Sequence, residues 1–346
     1  MARKKSSVTI RDIAKKANVS TATVSRTFNG TGFVKKETQE AIMEAAQELG
    51  YVYTAPKEPA SSPIPTPTTK KEKKAMILIN IPSLSNPFYS DIVQGIKSSA
   101  ANNGFDFLLY SGSITEQNIN KFLDILTSTG CSGIITLNLL PISLLRIITE
   151  YVPVVQCCEY IENPYASSVG INDFTAVQCA MDYFLSIGRK KISLINGPLS
   201  FRYSQNRRDA YISIMESAGI TFPPQWIIQL PDLNPDMAFS SVVKLLSADN
   251  PPDCFFAVSD VLAAAAIRAI QYCNLKVPED VLVIGFDNTI ISQLTTPSIT
   301  TVGQPQFQLG FLAGELLLEK ISNPMSEVKH MKLNTELILR ESTLAI

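Results

Sequence analysis

Val8 to Asn29 reads V-T-I-R-D-I-A-K-K-A-N-V-S-T-A-T-V-S-R-T-F-N, two short helical patterns separated by one tight turn. Thr9 and Asp12 have the spacing of a capping box, and Ile10, Ile13, Ala14 and Ala17 fall on one helical face. After Asn18 and Val19, Ser20 can cap a second helix, T-A-T-V-S-R-T-F, in which Val24 and Phe28 face inward. A third helix is predicted from about Lys36 to Leu49, with Ile42, Ala45, Ala46 and Leu49 inward and Gly50 at its left-handed stop. Three short helices with so few apolar residues make a small all-α core of marginal stability.

Two helices meeting across a tight turn can place the second in the DNA major groove, with its N-terminal side chains at base edges. That geometry assigns base contacts to Thr21, Ala22, Ser25 and Arg26. Arg26 can offer a bidentate fork to guanine, whereas Ala22 reaches no more than a thymine methyl. Ser20, Thr23, Ser25 and Asn29 suit phosphate oxygens, and Thr9 joins them as a DNA-facing position. Charge agrees: residues 1–74 hold 14 Lys/Arg against 7 Asp/Glu, a net +7 in a chain of total −1, so residues 75–346 carry −8. A basic module for phosphates is joined to an acidic remainder.

From Tyr51 to Lys74 the chain reads YVYTAPKEPASSPIPTPTTKKEKK, with prolines at 56, 59, 63, 65 and 67 that exclude a regular helix. An extended tether ending in a basic K-K-E-K-K patch is expected, adding salt-sensitive affinity for DNA. The organisation is therefore a helix-turn-helix headpiece over residues 1–53, a Pro/Lys-rich linker over 54–74 and a larger domain over 75–346.

Beyond Ala75, apolar strand-like runs alternate with helical patterns: 76–81, 105–110, 133–137, 152–158, 191–196, 226–230, 253–258 and 281–286 read as strands. Helical patterns fall between them, among them Asp91 to Asn103, so parallel βαβ units are predicted. The fold class is α/β, two lobes of doubly wound parallel sheet, lobe 1 about 75–170 and 302–330, lobe 2 about 171–301 and 331–346. No G-x-G-x-x-G or phosphate-loop pattern follows any strand, the single His330 excludes a multi-histidine metal site, and the six cysteines lack C-x-x-C spacing. Neither cofactor nor metal is expected. The basic start MARKKSS has no apolar run behind it, so export and membrane insertion are not expected, and the protein should act in the cytoplasm at the nucleoid.

In such lobes a ligand sits at the strand C-terminal ends. Candidates there are Asn86 and Phe88, Glu159, Arg207, Ser259 with Asp260, and Asp287 with Asn288. An aromatic face, an arginine and carboxyls suit a neutral polyhydroxylated molecule. Each has a plainer role open to it: Phe88 as core, Asp260 as cap of a helix starting at Val261, Glu159 as a solvated loop carboxylate, Arg207 and Asp287 as members of structural ion pairs.

Val8 to Asn29 closely resembles the headpiece signature of the LacI/GalR repressors. One departure is Lys35, where that family usually has a helix-capping serine; the lost cap costs on the order of 1 kcal/mol. Asn86 to Tyr89, Gly188 to Ile192, Asn206 to Tyr211, Val277 to Asn288, Thr300 to Gln304 and Glu336 to Thr343 look like the family's periplasmic-binding-protein-like sensor. Val154 to Tyr160, V-V-Q-C-C-E-Y, and the G-F-D-N ending at Asn288 are similar to its cytidine-responsive branch. The resemblance implies base reading by Thr21, Ala22 and Arg26, and effector contacts at Phe88, Arg207, Ser259, Asp287 and Gln304. It also implies a homodimer through helices flanking the first lobe, operator DNA as partner, and a sugar or nucleoside effector. Many family members carry an aspartate where this chain has Cys158 and then Glu159, so that contact stays open. The usual leucine-bearing hinge helix has no counterpart among the linker prolines, so operator binding without a central kink is expected. A solute-binding protein and a sugar- or nucleoside-processing enzyme are the competing readings.

Overall fold

In the computed structural model, which describes residues 9–29, 34–49 and 75–344, Thr9 leads into three helices, α1 (Ile10–Lys16), α2 (Thr21–Asn29) and α3 (Lys36–Glu48). The chain divides into two units, Met1–Glu72 and Lys73–Ile346. In the first, Ile13, Ala14, Val24, Phe28, Ile42, Ala45 and Ala46 form the buried centre, with Ile10, Ala17, Val19 and Leu49 packed against it. The backbone N–H and the hydroxyl of Thr9 both donate to the Asp12 carboxylate, at 2.9 and 2.7 Å. Those bonds hold the Asp12 carboxyl below its ordinary range. Asn18 turns the chain between α1 and α2 at φ 52°, a left-handed conformation that asparagine tolerates. Ser20 then accepts the Thr23 N–H at 3.1 Å, capping α2. Lys35 precedes α3 without any side-chain cap bond, so the departure noted at this position leaves the helix start unsatisfied by its own side chain. Gly50 and the linker, including the expectation of unkinked operator, lie outside the described residues.

The second unit contains two six-stranded sheets. Its first half runs β1 (Met76–Ile81), α4 (Phe88–Asn102), β2 (Asp106–Ser111), α5 (Ile119–Thr129), β3 (Cys131–Thr136), α6 (Ile142–Thr149), β4 (Val154–Cys157) and β5 (Ser167–Ile171). Then follow α7 (Asp173–Ser186), β6 (Ile192–Asn196), α8 (Arg202–Ser217), β7 (Ile227–Gln229), α9 (Pro235–Leu246), β8 (Cys254–Ala257), α10 (Asp260–Tyr272), β9 (Leu282–Asp287), α11 (Ile290–Leu294) and β10 (Thr300–Gly303). The chain closes with α12 (Gln306–Ser322), β11 (His330–Leu333) and β12 (Glu336–Ile338).

One sheet has the order β11-β5-β4-β3-β1-β2 and is parallel throughout; the other is β12-β10-β9-β8-β6-β7, parallel except where β12 pairs antiparallel with β10. Each order reverses once, between β1 and β3 and between β6 and β8, and such a switch opens a crevice at the strand C-terminal ends. Helices α4 and α12 meet through Gly95 and Gly310, where a Cβ would run into the backbone carbonyl oxygens of Phe307 and Ile92.

Three details differ from the sequence-based expectation. Helix α6 is absent from the expected elements although Leu144, Leu145 and Ile148 fall on one buried face; β5, S-S-V-G-I, carries no such signal, and its strand character comes from pairing with β4 and β11. Helix α4 starts at Phe88 rather than Asp91. The last crossing also moves: Met331, Lys332 and Leu333 pair with β5, so lobe 1 keeps the chain to Leu333, and lobe 2 resumes with β12 rather than at 331.

Candidate functional site

The C-terminal strand ends of both lobes surround one cleft, with about 520 Å³ of space between atoms when its open mouth is included. Asn86, Phe88, Glu159, Arg207, Ser259, Asp287 and Gln304 all line it. Residues up to 218 positions apart in the chain are thus brought together. The fold adds Tyr89, Asp173 and Tyr203, which sequence reading did not single out, and it places Cys158, the position left open above, in the same lining. Asp173 at the start of α7 carried a usable signal: it follows Asn172, whose side chain caps that helix by accepting the N–H groups of Phe174 and Thr175. Its partner, Arg207, is a sequence candidate, but no local pattern links the two residues, which stand 34 positions apart.

Arg207 is the centre of the wall. Its Nε donates to the Asp173 carboxylate at 3.0 Å and its Nη1 to the Val258 carbonyl at 2.9 Å. The guanidinium lies 3.5 Å from the centre of the Phe286 ring and 4.9 Å from that of Tyr203. Asn206 donates to the other Asp173 oxygen at 3.1 Å. Arg207 and Asp173 are only 4% and 8% exposed, so each charge depends on the other.

Asp287 ends β9 with φ 104°, and Asn288 follows at φ 58°. Asn288 sits in the left-handed region that asparagine tolerates, but Asp287 at φ 104° is strained, and such strain persists only where surroundings enforce it. Gln304 Nε2 donates to the Asp287 carboxyl at 2.7 Å, Gln306 donates to its carbonyl oxygen, and Arg340 Nη2 donates to Asn288 Oδ1 at 2.7 Å. Burial pushes the Asp287 carboxyl up to about 8, although the Arg207 charge pulls it down. At neutral pH it is therefore largely a neutral acid, able to donate as well as accept.

Glu159 is not a solvated loop carboxylate. It is 3% exposed and accepts the backbone N–H groups of Arg202 and Tyr203 at 2.8 and 3.0 Å. Burial raises its carboxyl to about 7 against those two bonds, which lower it. Asp260 does not cap α10 either: Ser259 does, accepting the Leu262 N–H at 3.4 Å. Asp260 instead accepts the Thr289 N–H, the Thr289 hydroxyl and the Thr301 hydroxyl at 2.7 to 2.9 Å, and burial raises it to about 6. It is a stitch between β8, β9 and β10 behind the cleft.

In the headpiece, Thr21 and Arg26 are exposed on α2, and Thr23 and Ser25 are half-buried. Among the described residues Arg26 has no ion pair. Ser20 and Thr23 share a hydroxyl contact of 2.8 Å. The Thr9 proton is committed to Asp12, which leaves that hydroxyl an acceptor. The side chains of Ala22 and Asn29 lie outside what is described.

A helix-turn-helix unit with an exposed arginine on its second helix, carried on one chain with a two-lobed cleft lined by polar groups, defines an effector-responsive DNA-binding regulator. Residues 9–53 match the family described as "Bacterial regulatory proteins, lacI family", and residues 181–343 match the "Periplasmic binding protein-like domain". Over 349 residues the chain is 30% identical to the HTH-type transcriptional repressor CytR of Escherichia coli K12, spanning 99% of this chain and 98% of that protein. The crystal structure of an uncharacterized protein from Actinobacillus succinogenes is similar at 34% identity and TM-score 0.71, over 78% of this chain and all of the other. The transcriptional regulator CelR–cellobiose complex is similar at 26% identity and TM-score 0.70, over 97% and 99%. The chain belongs to the LacI family: it is a DNA-binding transcription regulator whose headpiece is joined to an effector-binding domain. No helix among the described residues is long and apolar enough to cross a membrane.

Proposed function

We propose that this regulator is a cytoplasmic, homodimeric repressor that releases or grips its operator when a sugar or nucleoside fills the cleft. The observation that carries the reading is the convergence of all seven candidate residues, spread from Asn86 to Gln304, on one cleft. Phe88 offers a ring face, and Asn86, Ser259 and Gln304 offer groups that both donate and accept. A neutral Asp287 suits hydroxyls better than it suits a charged partner. The cellobiose carried by CelR, and the repressor name of CytR, support this class of ligand and this sign of regulation.

On DNA, Thr21, Ala22, Ser25 and Arg26 meet base edges while Ser20, Thr23, Asn29 and Thr9 meet the backbone; Thr9 can do so by accepting through water. Two headpieces of a dimer would read a pseudo-palindrome. Lobe closure would couple to operator affinity by about 1–3 kcal/mol, the usual size for such linkage. We read the cleft as a binding rather than a catalytic site, because its carboxyl groups are engaged: Asp173 with Arg207, Glu159 with two N–H groups, Asp287 with Gln304.

The test is genomic footprinting of the protein, with a thermal-shift screen of the full chain against sugars and nucleosides. Enrichment at pseudo-palindromes, and one ligand that both raises the melting temperature and changes operator affinity, are expected. Turnover of a glycoside or nucleoside by the purified protein, or no enrichment, would overturn the reading.

A further inference from the structure

Helix α8 lacks a cap of its own. Its N-cap residue is Phe201, which has no side-chain acceptor and makes no cap bond, so its first N–H groups must find acceptors elsewhere. They find them on the other lobe. Glu159, in the loop after β4 of lobe 1, takes the N–H groups of Arg202 and Tyr203, one to each carboxylate oxygen. A carboxylate at a helix N-terminus also gains from the helix dipole.

A second contact runs beside the first in the opposite sense. The guanidinium of Arg202 in lobe 2 lies 4.1 Å from the centre of the Tyr160 ring in lobe 1. That ring is 2% exposed and rests on Gly170 of β5, where a Cβ would stand 2.5 Å from Tyr160 Cε1. The lobe 1 half of the contact is therefore held by packing. One turn into α8, Tyr203 and Arg207 face the cleft.

Resting on the effector-cleft reading above, we infer that Glu159 and Tyr160 of lobe 1 and Arg202 of lobe 2 form a clasp between the lobes that positions α8, with Glu159 acting as a positioning residue and not as an effector ligand. The clasp holds the closed arrangement before any effector arrives, and it seats Tyr203 and Arg207 where an effector meets them. Opening the lobes strips α8 of its cap and separates Arg202 from Tyr160, so closure is favoured by contacts outside the ligand's own.

The test is hydrogen exchange of the full-length, effector-free protein at pH 8, where a Glu159 carboxyl raised to about 7 is mostly ionised, comparing wild type with Glu159→Gln and Arg202→Ala. Release of the clasp should speed exchange about tenfold or more, the effect of losing a charge-assisted bond, in segments of both cleft walls, 86–89 and 258–262, as well as at 201–204. Acceleration confined to 201–204 would overturn the proposal, since a local cap alone predicts that. Glu159→Asp, which keeps the charge but shortens the reach, should fall between wild type and Glu159→Gln. Arg202→Ala leaves the cap acceptor in place, so the result does not depend on Glu159→Gln folding. Operator binding of the same wild-type sample separates the two readings: its loss would sink the regulator function while leaving the clasp result intact.

Discussion

The headpiece and the cleft put their polar groups to opposite use. In the headpiece Thr21 and Arg26, proposed above to read bases, stand in solvent, and Asp12 is held in its charged form by exposed hydrogen bonds. In the cleft Glu159, Arg207, Asp173 and Asp287 are buried, and desolvation pushes Glu159 and Asp287 toward their neutral forms. A surface that must meet a polyanion keeps its charge hydrated until DNA displaces the counterions. The cleft walls instead take ionisable groups out of water and give each a hydrogen-bond partner, as suits the neutral effector proposed above.

The largest expected effect breaks a buried pair. Arg207→Ala leaves Asp173 charged in the cleft wall and should cost about 3–5 kcal/mol, read as a lower denaturant midpoint of the second unit, with the headpiece transition unmoved. An equal loss in both units would end the contrast.

Next comes pH. The folded values of Asp287 (about 8), Glu159 (about 7) and Asp260 (about 6) lie above those of unfolded carboxyls. The stability they contribute is full below about pH 4 and is lost as the pH rises through those values. The second unit should therefore melt several degrees lower at pH 8 than at pH 5, at about 2–4 °C per kcal/mol, and Asp287→Asn should flatten that slope. Asp12 has the reverse sign: its contribution is present above the unfolded value and is lost only on acidification, so the headpiece should keep its cap across the same range.

Arg26→Ala should remove about 1–3 kcal/mol of discrimination at one base pair per half-site without moving either melting transition; unchanged base preference in a selection experiment would remove the groove assignment. The smallest change sharpens the headpiece side: Lys35→Ser should restore the missing cap of α3 and raise headpiece stability by about 1 kcal/mol, measured by thermal unfolding followed in the far ultraviolet.

The headpiece was legible residue by residue because its determinants are local. The Thr9–Asp12 spacing, the Ser20 cap and the inward faces of three helices each lie within a few positions of the chain, and the amphipathic helices appear where those patterns put them, the first two capped as expected. Most strands of the two lobes were legible for the same reason, since buried parallel strands are nearly continuous apolar runs. The limits of local pattern show at β5, whose strand character comes from its neighbours, and at β11, whose exposed, alternating H-M-K-L does not say which lobe it joins.

The sequence by itself determined that this chain joins a small basic reading head to a doubly wound sensor, and it named the cleft residues that recur at strand ends. Only the tertiary structure decided what those residues do there: that Glu159 caps a helix of the opposite lobe, that Asp260 ties three strands together behind the site, and that Asp173 partners Arg207. The physical reason is that a helix cap or a periodic face is set by bonds between near neighbours, whereas burial, and with it the charge state and partners of an acid, is set by whatever the fold packs around it.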